Sequence, residues 1–77
     1  MSSDRRREWA QEAARRAAAA GGAATPEDEI LRALLTGEPE QADEAARVLA
    51  ATALLDRDYL EYWVDTLGLQ ELWRALR

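Results

Sequence analysis

The residues of this chain whose type and spacing could do chemistry are carboxylates. Asp58, Glu61 and Asp65 fall at i, i+3 and i+7, with Asp56 close by. On a helix that spacing sets the three acids on one face. Carboxylate oxygens in a row suit a hard cation such as Mg²⁺ or Ca²⁺. The spacing is not that of a calcium-binding loop, however, and no second carboxylate motif stands opposite. The polar face of an amphipathic helix, partnering the Arg-rich first segment, accounts for the same pattern, so no metal ligand is assigned. Paired carboxylates for glycoside hydrolysis need a cleft and one acid in an apolar pocket. A chain of 77 residues with no long loop has little room for either.

The rest of the reactive inventory is sparse. There is no His, Cys or Lys, and the only serines are Ser2 and Ser3. Activated nucleophiles, general bases and thiolate or imidazole metal sites draw on those residues. Gly21-Gly22 follows a helical pattern rather than a strand and precedes no Lys, so it is not a phosphate loop. No catalytic residue, metal or cofactor is expected. The aromatic side chains are the remaining candidates, because Tyr and Trp are enriched at binding hot spots. Tyr59 and Trp63 share an apolar stripe and are expected in the core, whereas Tyr62 falls off it and is expected to be exposed. Tyr62, with Tyr59 and Trp63, forms the candidate protein interface.

Charge and composition narrow the partners. Fifteen acids against ten bases, all of them Arg, give a net charge of −5. Nucleic acid is disfavoured, because a binder needs a basic face to displace counterions from phosphates. Arg5, Arg6, Arg7, Arg15 and Arg16 cluster in the first segment, as a solvated helix face would. No apolar run approaches a membrane span. The N-terminal arginines are followed by no apolar stretch, and Glu8 and Glu12 are out of place in a transit peptide. A soluble monomer is expected, cytoplasmic or made only by recombinant expression, needing no partner, with a protein partner or a homodimer as the open possibilities.

The elements that must position these residues are all helical. Five segments are predicted, at 4–20, 26–36, 39–54, 57–67 and 70–77, in one compact, irregular all-α domain covering 1–77, with the long first helix packed across the others. Asp4 or Ser3 caps the first, and Gly21-Gly22 stops it. Trp9, Ala10, Ala13, Ala14, Ala17 and Ala18 recur on one face, and Glu12 is placed to pair with Arg16. Arg5 to Arg7 stand at the positive end of the helix dipole, a local conflict. Thr25-Pro26-Glu27-Asp28 is the strongest start signal: cap, first-turn proline, then acids at the positive end of the dipole. Ile30, Leu31, Leu34 and Leu35 make the buried stripe of the second segment. Pro39 opens the third, where Ala42, Ala45, Ala46, Leu49 and Ala53 line one face, Val48 and Leu54 widen it, and Asp43 is spaced to pair with Arg47. Asp56 caps the fourth, and Leu69, Leu72, Trp73 and Leu76 share a face of the short fifth. The expected core is Trp9, Leu31, Leu34, Leu49, Leu60, Trp63, Leu67, Leu72 and Leu76. Holding short helices together should consume these bulky side chains and leave no equipped cavity.

Two resemblances follow from these residues. Gly37-Glu38-Pro39 through Asp43, Val48-Leu49, Leu55-Asp56-Arg57-Asp58-Tyr59-Leu60, Trp63, Leu67-Gly68-Leu69 and Leu72 resemble the helical C-terminal part of small bacterial nucleotidyltransferase-like proteins. The resemblance covers residues 37–76, about half of the chain. That family's Gly-Ser turn and paired Asp on strands are absent here, so it implies a helical subdomain and no activity. The whole chain is similar to de novo designed helical proteins, in its Thr-Pro-Glu-Asp start, its Gly-Glu-Pro-Glu linker and its agreement of caps with hydrophobic pattern. The missing Lys and the Arg run at the first helix start depart from that habit. The similarity implies a chain whose purpose is its fold, without natural activity. The alternative is a small acidic helical binding module, inhibitor- or antitoxin-like, acting through an exposed helix face.

Overall fold

The computed structural model describes residues 2–76, which form five helices and no strand. They are α1 (Ser2–Ala19), α2 (Pro26–Thr36), α3 (Pro39–Ala51), α4 (Arg57–Leu67) and α5 (Gln70–Leu76). The expected all-α array of about five helices is therefore what the chain forms. Its radius of gyration, 11.7 Å, is that of a fully folded domain of this length, so α1 is folded back onto the rest.

Where bounds differ from expectation, local chemistry explains the difference. The first helix begins at Ser2, so Ser3 and Asp4 lie inside its first turn rather than ahead of it. It ends on Gly21 and Gly22, both at positive φ, and the Gly22 amide closes the last turn on the Ala17 carbonyl at 2.7 Å. Thr25 caps α2: its hydroxyl accepts the Asp28 amide. The third helix stops at Ala51 rather than Leu54. Thr52 is extended there, and the chain must reach Asp56, whose amide donates to the Glu27 carboxylate at 2.9 Å. Leu54 is left 92% exposed instead of widening a helix face, while Leu55 packs against the core. Asp56 caps α4 by accepting the Tyr59 amide. Gly68, at φ 73°, ends α4, with the Leu69 amide bonded back to Val64. Arg77, expected in the last helix, lies outside the described residues.

The most extensive helix contact is between α2 and α3. Ile30, Leu31 and Leu34 of α2 are buried and Leu35 packs at the edge, as their spacing predicts. On α3 it is Ala45 that is buried, so these two helices meet over a small side chain. Leu60, Trp63 and Val64 of α4, Trp9 and Ala13 of α1, and Leu69 and Trp73 of the C-terminal segment complete the core. Leu49, Leu67 and Leu76 pack at its margin, half-buried. Leu72 is the exception: 43% of it is exposed. Trp73 fills the inward position of α5, and Leu72 turns toward a wall of α3 made of Ala42 and Ala46, too small to cover it. The Ala face of α1 is thinner than expected as well. Ala10, Ala14 and Ala18 are exposed, because α1 packs chiefly on α4 through Trp9 and Ala13 rather than lying across the whole array.

Candidate functional site

The acids do not assemble where their spacing suggested. Asp56, Asp58, Glu61 and Asp65 are all exposed, and no group of three or more acids among the described residues converges on a metal-sized position. Among the described residues, none of the ion pairs joins the acidic face of α4 to the arginines of α1. The acids that meet α1 come from the first turn of α2.

Asp28 is fully buried, at 0% exposure, and four donors surround it. The Trp9 indole N–H (3.1 Å) and the Tyr59 hydroxyl donate to its Oδ1. Arg16 Nε (3.3 Å) and the Thr25 hydroxyl (3.0 Å) donate to its Oδ2. Glu27, also buried, accepts Arg16 Nη2 at 2.9 Å on one oxygen and the Asp56 amide on the other. The node thus joins the middle of α1 to the first turns of α2 and α4. Taking a carboxylate out of water costs several kcal/mol. Here the positive end of α2, four donors and a half-buried guanidinium offset that cost. Among the described residues no buried side-chain N or O lacks a partner.

Arg16 is therefore spoken for, and the expected helix-surface pairs rearrange around it. Glu12 pairs with Arg15, one residue nearer in sequence than Arg16, and Arg47 pairs with Glu44 at 2.9 Å instead of with Asp43. The Arg16 guanidinium also lies 3.8 Å from the centre of the Tyr59 ring, a cation–π contact. Burial first, then the hydrogen bond to Asp28 and its charge, push the Tyr59 phenol well above its ordinary range, with Arg16 opposing. Its hydroxyl is spent inside the fold.

The aromatic trio divides accordingly. Trp63 is core, Tyr59 is half-buried with its hydroxyl turned inward, and Tyr62 is 61% exposed. Tyr62 and Trp63 make a T-shaped contact, with ring centres 5.0 Å apart and planes at 82°.

Surface hollows among the described residues bear on the expectation that no equipped cavity would be left. One, of about 320 Å³ between α4 and α5, is lined by Glu61, Val64, Asp65, Gln70, Trp73 and Arg74. Its charges are of both signs, and Gln70 is bonded to Asp65. A second, of about 190 Å³ between α2 and α3, has Glu29, Arg32 and Glu44 in its lining. Two more, of about 240 and 280 Å³, share Leu34, Ala42 and Leu72 and so form one groove between α3 and α5. Gly37, Pro39, Ala46, Ala75 and Leu76 continue its apolar lining, and among the described residues its charged lining residues are Glu38 and Asp43. Sequence reasoning missed this groove. Its one legible signal was Leu72 sharing a helix face with Leu76 opposite an alanine-rich α3.

No known family model, curated protein or solved structure matches the chain. Among the described residues no helix is long and apolar enough to cross a membrane.

Proposed function

We propose that the chain is a small helical protein-interaction module that works through the α3–α5 groove. One observation carries this reading: a large apolar side chain, Leu72, stands 43% exposed over a groove walled by Leu34, Ala42, Ala46 and Leu76. A domain this small has few bulky apolar residues to spare, so one left half out of the core is a feature to explain. Concave apolar grooves are where helical partners insert anchors. Tyr62 lines neither half of the groove, and its ring is already in a T-shaped contact with Trp63.

The test is a titration of the isotope-labelled chain with amphipathic helical peptides of either charge. The reading expects the resonances of Leu72, Leu76, Ala42 and Ala46 to move together, and Leu72→Gln to suppress the shifts without changing the melt. Peptides that leave those resonances in place would sink it.

A second reading, a chain made for its fold as de novo designed helical proteins are, draws on the agreement of caps with pattern at Thr25, Asp56 and Gly68. It predicts a monomer that melts cooperatively, ignores every such peptide, and is indifferent to Leu72→Gln.

A further inference from the structure

We infer that the occupant of the α3–α5 groove is a basic amphipathic helix supplied by another protein. This rests on the groove being the interaction surface, and adds the chemistry of what fills it.

The groove selects a helix because of what it lacks as a surface. Its lining is mostly apolar side chains, and the described residues contain no strand whose edge an extended peptide could join. An incoming segment must therefore satisfy its own backbone N–H and C=O groups, which a helix does and an extended chain does not. Ala42 and Ala46, one turn apart on α3, keep one wall low, so a second helix can approach closely. From Pro39 to Ala46 the wall runs about 10 Å along the helix axis, roughly two turns. That length matches apolar anchors at i, i+3 or i+4, and i+7 of the incoming helix.

Charge decides between partners. Among the described residues, the charged ones in the groove lining, Glu38 and Asp43, are both acids. The whole chain carries −5. A two-fold contact between copies would set this acidic border against an identical one, a repulsive arrangement. A helix with Arg or Lys flanking its apolar stripe places opposite charge there instead.

The experiment uses the full chain, isotope-labelled, and three synthetic peptides of equal length. One has leucines at i, i+3, i+4 and i+7 with arginines elsewhere. The second keeps the leucines and replaces arginine by glutamate. The third has the first peptide's composition in an order that forms no apolar face. The first should bind at least about tenfold more tightly than either other, with shifts confined to Leu72, Leu76, Ala42 and Ala46, and should weaken as salt rises. Reversing both groove acids, Glu38→Arg with Asp43→Arg, should invert the preference between the first two peptides. Both positions are exposed, and unchanged far-ultraviolet dichroism checks the fold of the variant. Equal binding of the acidic peptide leaves the groove as an interaction surface but overturns the basic partner. Equal binding of the scrambled peptide reduces the effect to bulk charge and overturns it too. A dimer seen by sedimentation and dispersed by Leu72→Gln puts a second copy in the groove and overturns it as well. If no peptide moves the groove resonances, the interaction reading fails along with it.

Discussion

Asp28 shows how much one side chain can be asked to hold. It is a carboxylate with no contact with solvent, so each donor around it is worth more than a surface hydrogen bond, and losing one leaves a deficit in a dry place. Tyr59→Phe removes the phenol donor and keeps the ring under Arg16; it should cost about 1–2 kcal/mol in a denaturant titration. Asp28→Ala strands Arg16, Trp9 and the Tyr59 hydroxyl together and should cost about 3–5 kcal/mol. For a domain of this size that lowers the melting temperature by more than about 12 °C. The raised Tyr59 pKa adds a dependence on pH. Because the folded phenol holds its proton more tightly than the unfolded one, its contribution is complete below the unfolded value near pH 10. It is lost as pH climbs from there toward the folded value. Stability measured across that alkaline range should fall in the parent chain and fall less in Tyr59→Phe. None of this was legible residue by residue. Thr25, Glu27 and Asp28 read as a cap followed by dipole-matched acids, which they are. That Trp9 and Tyr59 would reach the same carboxylate depends on how α1 and α4 are laid against α2, and spacing within a segment carries no information on that.

Elements were the most readable scale. The starts at Pro26, Pro39 and Arg57 and the stops at Thr36 and Leu67 follow from caps, prolines and glycines that act within a few residues of themselves. Gly68 illustrates the mechanism. At φ 73° nothing lies within 4 Å of where a Cβ would stand, so Gly68→Ala should cost about 1 kcal/mol through backbone strain alone. Gly68→Asn should cost less, and thermal melts of the two variants compare them directly. The end of α3 was misread because its periodicity continues through Ala53 and Leu54 while a distant hydrogen bond, from the Asp56 amide to Glu27, straightens the chain. Leu54→Ser should accordingly leave stability within about 0.5 kcal/mol, as at any exposed site. Leu55→Ala, one residue on, should cost about 1–2 kcal/mol, because Leu55 packs on the core. Equal losses for both would mean that the α3–α4 connection is laid differently.

At the scale of the whole molecule, the core is small and its helices depend on one another. The fifth, of seven residues, is too short to persist alone and is held by Trp73 and Leu69. The first contributes Trp9, Ala13 and Arg16, so residues 23–77 without it should lose cooperative melting in circular dichroism, their buried acids left without two of their donors. The class of fold was readable from five capped segments and no strand pattern. The groove was not, because it arises where two helices fail to fill the space between them, and sequence records what each helix offers rather than what the pair leaves open.

The buried junction at Asp28 spans 31 positions of sequence in its bond to Tyr59 and 19 in its bond to Trp9, whereas α2 and α3 are neighbours along the chain. Closing long loops is slow and comes late on the way to the native state, and nearby pairs assemble first. The α2–α3 hairpin should therefore be the nucleus, with the N-terminal helix and α4 locking around the carboxylate after the rate-limiting barrier. In stopped-flow measurements Tyr59→Phe should leave the refolding arm nearly untouched and steepen escape from the native state. The junction would then set how long a folded molecule survives, not how quickly it forms.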